Sequence, residues 1–481
     1  MAPLVLSNAR VVGRAGDPVD LTVADGVVTS IGGPVGGGQV VDLGGRWVLP
    51  GLTDSHVHLL HWAKARRRID LSGCGSAAQA AALARAALDA GAGEVVGFGF
   101  RDALWPDLPT VALLDAATGA RPVVLVAGDL HCVWLNSAAL SRHGVAAVEG
   151  LVREKAAFDV LRSLDQVPDE VADRWALEAL RGAAARGITR ITDLEMRWPL
   201  ADWPRRAAGG RLPVRVDAGF YPSDLDRATA QGWRTGDEVP GTEGRVRVGP
   251  LKVITDGSLN TRTAWCLEPY PGLGPDQDPY GVVNVPYDEL VGLLAVADRH
   301  GLQAAVHAIG DRANQVALDA FEATGATGSV EHAQLLRPQD VARFAALGIV
   351  ASVQPEHAMD DRDVADRYWQ GRTDRAFALA DLHRAGVTLR LGSDAPVAPL
   401  DPWITLAAAV TRTRDGREPW HPEQALDLRA ALAASTDGRT MVAQGMAADL
   451  VIVEQDPSIV ANLRGMTVFA TLLAGEWTYR R

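Results

Sequence analysis

A chain of 481 residues exceeds one small domain and suffices for a large barrel with accessory units. Its 47% apolar and 22% charged residues describe a globular protein and exclude extended disorder, while a formal net charge of −12 excludes the basic face that a nucleic-acid partner requires. No stretch reaches the apolar length of a bilayer span, so no membrane partner is expected. The start, Met1-Ala2-Pro3-Leu4-Val5-Leu6, has no basic segment and runs into strand-like sequence, which predicts no signal peptide. Cys74, Cys132 and Cys266 are odd in number and far apart, fitting neither a disulfide framework nor a zinc cluster, and a reducing cytoplasm is the expected compartment.

Residues 4 to 50 read as short strands, Leu4-Val5-Leu6, Leu21-Thr22-Val23 and Val27 to Ile31, separated by breakers such as Gly36-Gly37-Gly38. The far end has the same character in Asp449 to Val453 and Val468 to Leu473. Neither piece can bury a core alone, so residues 1–50 and 436–481 are expected to join as one composite β-sandwich domain. Between them, apolar strands alternate with Ala-rich helical stretches, the pattern of a parallel α/β architecture.

The first of these strands carries Thr53-Asp54-Ser55-His56-Val57-His58, and its period of two sets His56 and His58 on one face. The pair by itself reads equally as metal ligands or as two histidines satisfied by hydrogen bonds. Strands follow at Ile188 to Asp193, Val214 to Phe220, Val248 to Thr255, Gln303 to His307, Ser329 to His332, Ile349 to Gln354 and Val387 to Asp394. That makes eight, the number that closes a (β/α)8 TIM-like barrel over residues 51–435. The count requires residues 62–180 to be an α/β insertion after the first strand, with strands at Val95 to Phe98 and Pro122 to Val126 and a helix at Ala77 to Ala90. An insertion at that point overlies the catalytic mouth and is the expected specificity cap. A second long connection, Gly257 to Pro286, contains Tyr270-Pro271-Gly272 and Gly274-Pro275 and also lies near the mouth.

Polar residues end several of these strands: His307, followed by Asp311 as a candidate helix cap, then His332 and Asp394. Lys252 sits within the fourth strand, and only Lys64, Lys155 and Lys252 among the 47 basic residues are lysine, so a lysine in an interior strand stands out. Each residue alone also reads as a core histidine, a cap or a snorkelling lysine. Together they converge on one mouth, and four imidazoles with a carboxylate suit Zn2+, with Mn2+, Co2+ or Fe2+ admissible on the same chemistry.

The ordered set Pro50-Gly51-Leu52-Thr53-Asp54-Ser55-His56-Val57-His58, Leu130 to Ser137, Leu251-Lys252 with Asp256-Gly257-Ser258, His307 to Asp311, Glu331-His332-Ala333, Gly392 to Val397 and Ala448 to Val451 resembles the amidohydrolase superfamily. Within it, the set resembles the YtcJ-like branch, which includes N-substituted formamide deformylase. The resemblance implies that His56 and His58 bind one metal, that His307 and His332 bind a second, that Asp394 touches the first, and that a carbamate on Lys252 bridges them. A desolvated lysine is readily neutral, the form that reacts with CO2, whereas arginine offers no free amine. The segment Ala146 to Leu151 is shorter than in that branch, Asn260 stands where glycine is common, and the stretch after Ser435-Thr436 is compressed.

The expected chemistry is hydrolysis of a C–N bond in a small molecule, of amide or N-substituted formamide type, with Asp394 taking a proton from the attacking water and returning it to the leaving nitrogen. A deaminase or cyclic-amide hydrolase on the same metals, and a non-catalytic scaffold retaining the barrel, are the alternatives. His131, Trp134, His357 and Asp102 are the candidate substrate contacts, His131 leading, with packing under Trp134 as its alternative reading. The superfamily resemblance is compatible with a homodimer.

Overall fold

The computed structural model describes residues 2–33, 37–146, 149–164, 167–273 and 278–481. Met1, Gly36, Ala147, Val148 and Gly274-Pro275 of the segments named above lie outside the described residues.

Eight parallel strands form one sheet in chain order: Leu52–Val57, Ile188–Asp193, Arg215–Phe220, Val246–Ile254, Ala304–Ala308, Gly328–His332, Val350–Val353 and Leu389–Leu391. The last strand is short, and its continuation completes the ring. Val57 bridges Ala395 in parallel register, the Asp394 N–H donates to the His56 carbonyl at 2.7 Å, and the His58 N–H donates to the Ala395 carbonyl at 2.9 Å. Strand residues such as Val216, Val253, Val306 and Val330 are buried with the helices in one large apolar core, as expected where a parallel sheet is covered on both faces.

A second eight-stranded sheet draws on both ends of the chain. Trp47–Pro50 pairs in parallel with Leu4–Val11 and antiparallel with Leu450–Val453, which in turn pairs with Val468–Leu473. One residue, Gly51, then separates this sheet from the first barrel strand.

Between the first and second barrel strands lies a five-stranded sheet, ordered Leu151–Arg153, Cys132–Leu135, Val123–Ala127, Val95–Phe100, Ile69–Asp70. Its central strand is covered on both faces. Val123, Leu125 and Ala127 pack into one apolar cluster, and the alternate residues Val124 and Val126 into another, as a period of two dictates.

Asp311 does not cap its helix as expected. The helix runs Asp311–Thr324 with Gly310 at the capping position, and the buried Asp311 carboxylate instead accepts from the Leu267 N–H at 2.8 Å and faces Arg375 at 3.4 Å. It thereby pins the long connection after the fourth strand.

Candidate metal centre

The six residues of the expected ligand set all line one cleft at the C-terminal end of the barrel: His56, His58, Lys252, His307, His332 and Asp394. Nε2 of His56 and Nε2 of His58 each stand 3.3 Å from Oδ1 of Asp394. Ligand atoms of His56, His332 and Asp394 lie within 4.8 Å of one another. The His307 and His332 rings are 4.5 Å apart, and Nε2 of His307 faces Asp256 at 3.3 Å, leaving Nδ1 as its other donor.

Backbone conformation produces part of this convergence. Glu331 and His332 are consecutive, so regular strand alternation would send them to opposite faces. Both nevertheless reach His56, Glu331 through a 2.7 Å contact to Nδ1 and His332 with ring centroids 5.0 Å apart. His332 has φ of 72° and Asp394 has φ of 56°, left-handed conformations that non-glycine residues adopt at a cost and that concentrate at functional sites.

Electrostatics suit a cation. Burial lowers the His56 pKa to about 4 and pushes His332 well below the ordinary histidine value, so both imidazoles present neutral lone pairs. Burial also lowers Lys252 to about 8, against the opposing pull of Glu331 and Asp394. Asp394 is deeply buried, which alone would raise its pKa, yet the His56 and His58 imidazoles hold it below the ordinary carboxylate range. Three buried polar atoms here, His56 Nε2, His332 Nδ1 and Lys252 Nζ, have no hydrogen-bond partner among the described residues. Buried polar atoms are normally satisfied, so this cluster of nitrogens beside a carboxylate fits a bound divalent ion.

The insertion supplies one wall of the cleft through Arg101, Asp129, Leu130, His131, Phe158 and Leu161. His131 lines it with the ring 5.6 Å from His307, and Nδ1 lies 3.1 Å from Glu154. Burial disfavours the His131 imidazolium, but Glu154 outweighs this and its pKa rises to about 9. His357 also lines the cleft, with Nε2 3.7 Å from Asp394 Oδ2.

Two of the expected substrate contacts are not among the residues that line the cleft. Trp134 does not line the cleft: its indole is fully buried in the insertion core and donates to the Thr110 carbonyl at 3.1 Å. Asn136 beside it caps the helix Ser137–His143 and satisfies nearby carbonyls. Asp102 also stands behind the cleft, where it receives the Asn260 amide at 3.5 Å, and Asn260 is the residue that faces inward.

Sequence reasoning assigned no role to the carboxylates that hold the imidazoles. Glu331 holds His56. Asp256 accepts from the Trp265, Ile309 and Gly310 N–H groups while facing His307. Asp54 accepts from the Ser393 N–H at 2.9 Å and the His56 N–H at 3.3 Å, stitching the first strand to the eighth. Their adjacency to ligand positions was the available signal, since ligating histidines commonly engage a carboxylate through the second nitrogen.

Comparison with known proteins agrees with this geometry. A profile of the amidohydrolase family matches residues 39–479. The Bacillus subtilis (strain 168) protein that carries the name amidohydrolase YtcJ is 28% identical over 492 residues, covering 92% of this chain and 91% of its own. N-substituted formamide deformylase of Arthrobacter pascens is 26% identical over 505 residues, covering 92% and 90%. A crystal structure of an uncharacterized metal-dependent hydrolase from Pyrococcus horikoshii OT3 superposes with a TM-score of 0.78 at 25% identity, covering 95% of this chain and 98% of that one. A barrel with convergent imidazoles and a carboxylate at its mouth and a family match over nearly all of the chain lead to one assignment: this protein belongs to the amidohydrolase family.

Proposed function

We propose that this protein is a metal-dependent hydrolase of a carbon–nitrogen bond in a small molecule, of amide or N-substituted formamide type. The observation that carries the reading is the meeting of His56, His332 and Asp394 within 4.8 Å, next to unpartnered buried nitrogens. The likeness to a formamide deformylase over nearly the full chain supports the bond type.

His56, His58 and Asp394 would hold one divalent ion, Zn2+ being the best match to the donor set, and His307 and His332 a second. Such ions supply Lewis-acid activation of water and of the substrate carbonyl. Lys252 would be the residue to carry a carbamate: burial favours its neutral amine, the form that adds to CO2 with loss of a proton. Asp394, kept ionised beside the cleft, accepts the proton of the attacking water and delivers it to the leaving nitrogen. His357, 3.7 Å from that carboxylate, stands where an imidazole N–H can orient the substrate carbonyl.

Metal-loaded protein assayed against formamides, amides, ureas, esters and aminopurines tests the reading. Turnover of amides or formamides is expected. Ammonia release from aminopurines alone would make it a deaminase, and inertness across the panel would leave a scaffold. Asp394→Asn should retain fold and most metal while kcat falls by about 10²–10⁴. A kcat near wild type would remove the proton-transfer role. Metal analysis giving no more than one equivalent, with a free Lys252 amine, would overturn the binuclear arrangement.

A further inference from the structure

The insertion and the long connection after the fourth barrel strand meet beside His131. Its ring lines the cleft with its centroid 5.6 Å from that of His307 and 5.4 Å from that of Phe158. Nδ1 is taken by Glu154, so Nε2 is the nitrogen left for the cleft. The main chain is held as well: the His131 N–H donates to Asp129 Oδ1 at 3.1 Å, and the His131 carbonyl accepts the Glu154 N–H at 2.9 Å.

Both carboxylates that hold His131 are held in turn from the connection. Ser258 Oγ donates to Asp129 Oδ2 at 2.6 Å, and Thr263 Oγ1 donates to Glu154 Oε1 at 2.5 Å. The Thr261 hydroxyl lies between these two, 2.8 Å from Ser258 and 2.5 Å from Thr263, and its single proton serves one of them. Asn284, further along the connection, gives its amide to Glu154 Oε2 at 3.4 Å and to the Asp256 carbonyl at 3.1 Å. Asp129, Ser258, Thr261, Thr263, Glu154 and His131 thus close a ring of polar contacts that crosses twice between insertion and connection. All but Asp129 are buried, where a polar group deprived of its partner is costly.

The backbone is shaped to this ring. Glu154 has φ of 51°, a left-handed residue where the strand Leu151–Arg153 gives way to the helix Glu154–Leu164. A Cβ on Gly257 would collide with Thr263 Oγ1 and Glu154 Oε1, so these two meet only over a glycine. The Gly257 carbonyl faces His307 Nε2 at 3.3 Å, which sets the ring against one of the expected metal ligands.

We propose that Glu154, and through it Thr263, are positioning residues for His131, so that the connection after the fourth strand fixes how Nε2 meets the substrate. Side chains that contact a reacting molecule need partners behind them that lock their orientation, and a carboxylate on the far ring nitrogen supplies such a lock. The effect on turnover rests on the C–N hydrolase reading, whereas the placement of the ring does not.

Zinc-loaded protein carrying 15N-labelled histidine tests the placement. An ionised Glu154 only accepts, so His131 Nδ1 carries a proton whose downfield resonance should appear in wild type and vanish in His131→Asn. Thr263→Val keeps the shape of the side chain without its hydroxyl and should shift or broaden that resonance, while Thr263→Ser should restore it. For any amide turned over, Thr263→Val should cost about tenfold in kcat/KM in the wild-type background and about twofold or less in His131→Asn. Glu154→Gln should displace the same resonance and keeps the test valid if Thr263→Val fails to fold. A wild-type spectrum without the resonance, a folded variant that leaves it unmoved, or equal losses of kcat/KM in both backgrounds overturns the proposal. A displaced resonance with no amide turned over would leave the placement standing and overturn the C–N reading. Amide turnover with an unmoved resonance would do the reverse.

Discussion

The Glu331 carboxylate, 2.7 Å from Nδ1 of His56, fixes which nitrogen of that ring faces the cleft. Glu331→Gln should therefore lower metal affinity about 10–100-fold, measured by competition with a chromophoric chelator. Unchanged affinity would show that packing alone orients His56. The His131–Glu154 pair gives a pH test. His131 has its pKa raised from 6.5 to about 9, so the stability it contributes is complete below pH 6.5 and is lost as pH rises through 9. Glu154 is held below its ordinary value, despite burial, by His131, and its contribution is lost only as pH falls into the acid range. Wild type should lose stability between pH 6.5 and about 9, and Glu154→Gln should flatten that slope in unfolding titrations at fixed metal. Parallel slopes would deny the pair. At this scale the sequence showed which histidines and carboxylates exist, and the expected ligands do share one cleft. It gave no sign that Trp134 is buried inside the insertion, which is a tertiary fact invisible in the motif surrounding His131.

Among the elements, the eighth strand decides how tightly the first is held. A Cβ on Gly392 would lie 2.8 Å from the His56 nitrogen and 2.9 Å from the His56 Cβ, so the two strands can approach only with glycine there. Gly392→Ala should displace His56, cost about 1–3 kcal/mol of stability and reduce bound metal, read by unfolding and metal analysis together. Full metal content at wild-type stability would mean that the strands part without consequence. All eight barrel strands were legible, because apolar runs ending in polar residues at regular spacing carry a strong local signal. Asp311 was misread for a complementary reason. A short polar residue before a helix usually caps it, but here a distant loop N–H competes for the carboxylate and wins.

In the molecule as a whole, ions held as proposed, one between the first and eighth barrel strands and one between the fifth and sixth, should stabilise only the native state. Exhaustive chelation should lower Tm and reloading restore it, since a ligand at a thousand times its Kd contributes about 4 kcal/mol. An unchanged Tm would place the ion outside the folded core. By itself, the sequence determined the strand count, the order of the ligand residues and the family resemblance, because these follow from local periodicity and from residue types at fixed chain positions. Only the tertiary structure decided that Glu331 and His332 both turn towards His56, that insertion residues such as His131 and Arg101 complete the cleft while Trp134 does not, and that Thr263 meets Glu154 behind His131. Those outcomes depend on left-handed backbone at single residues and on contacts between segments hundreds of positions apart, which no local pattern encodes.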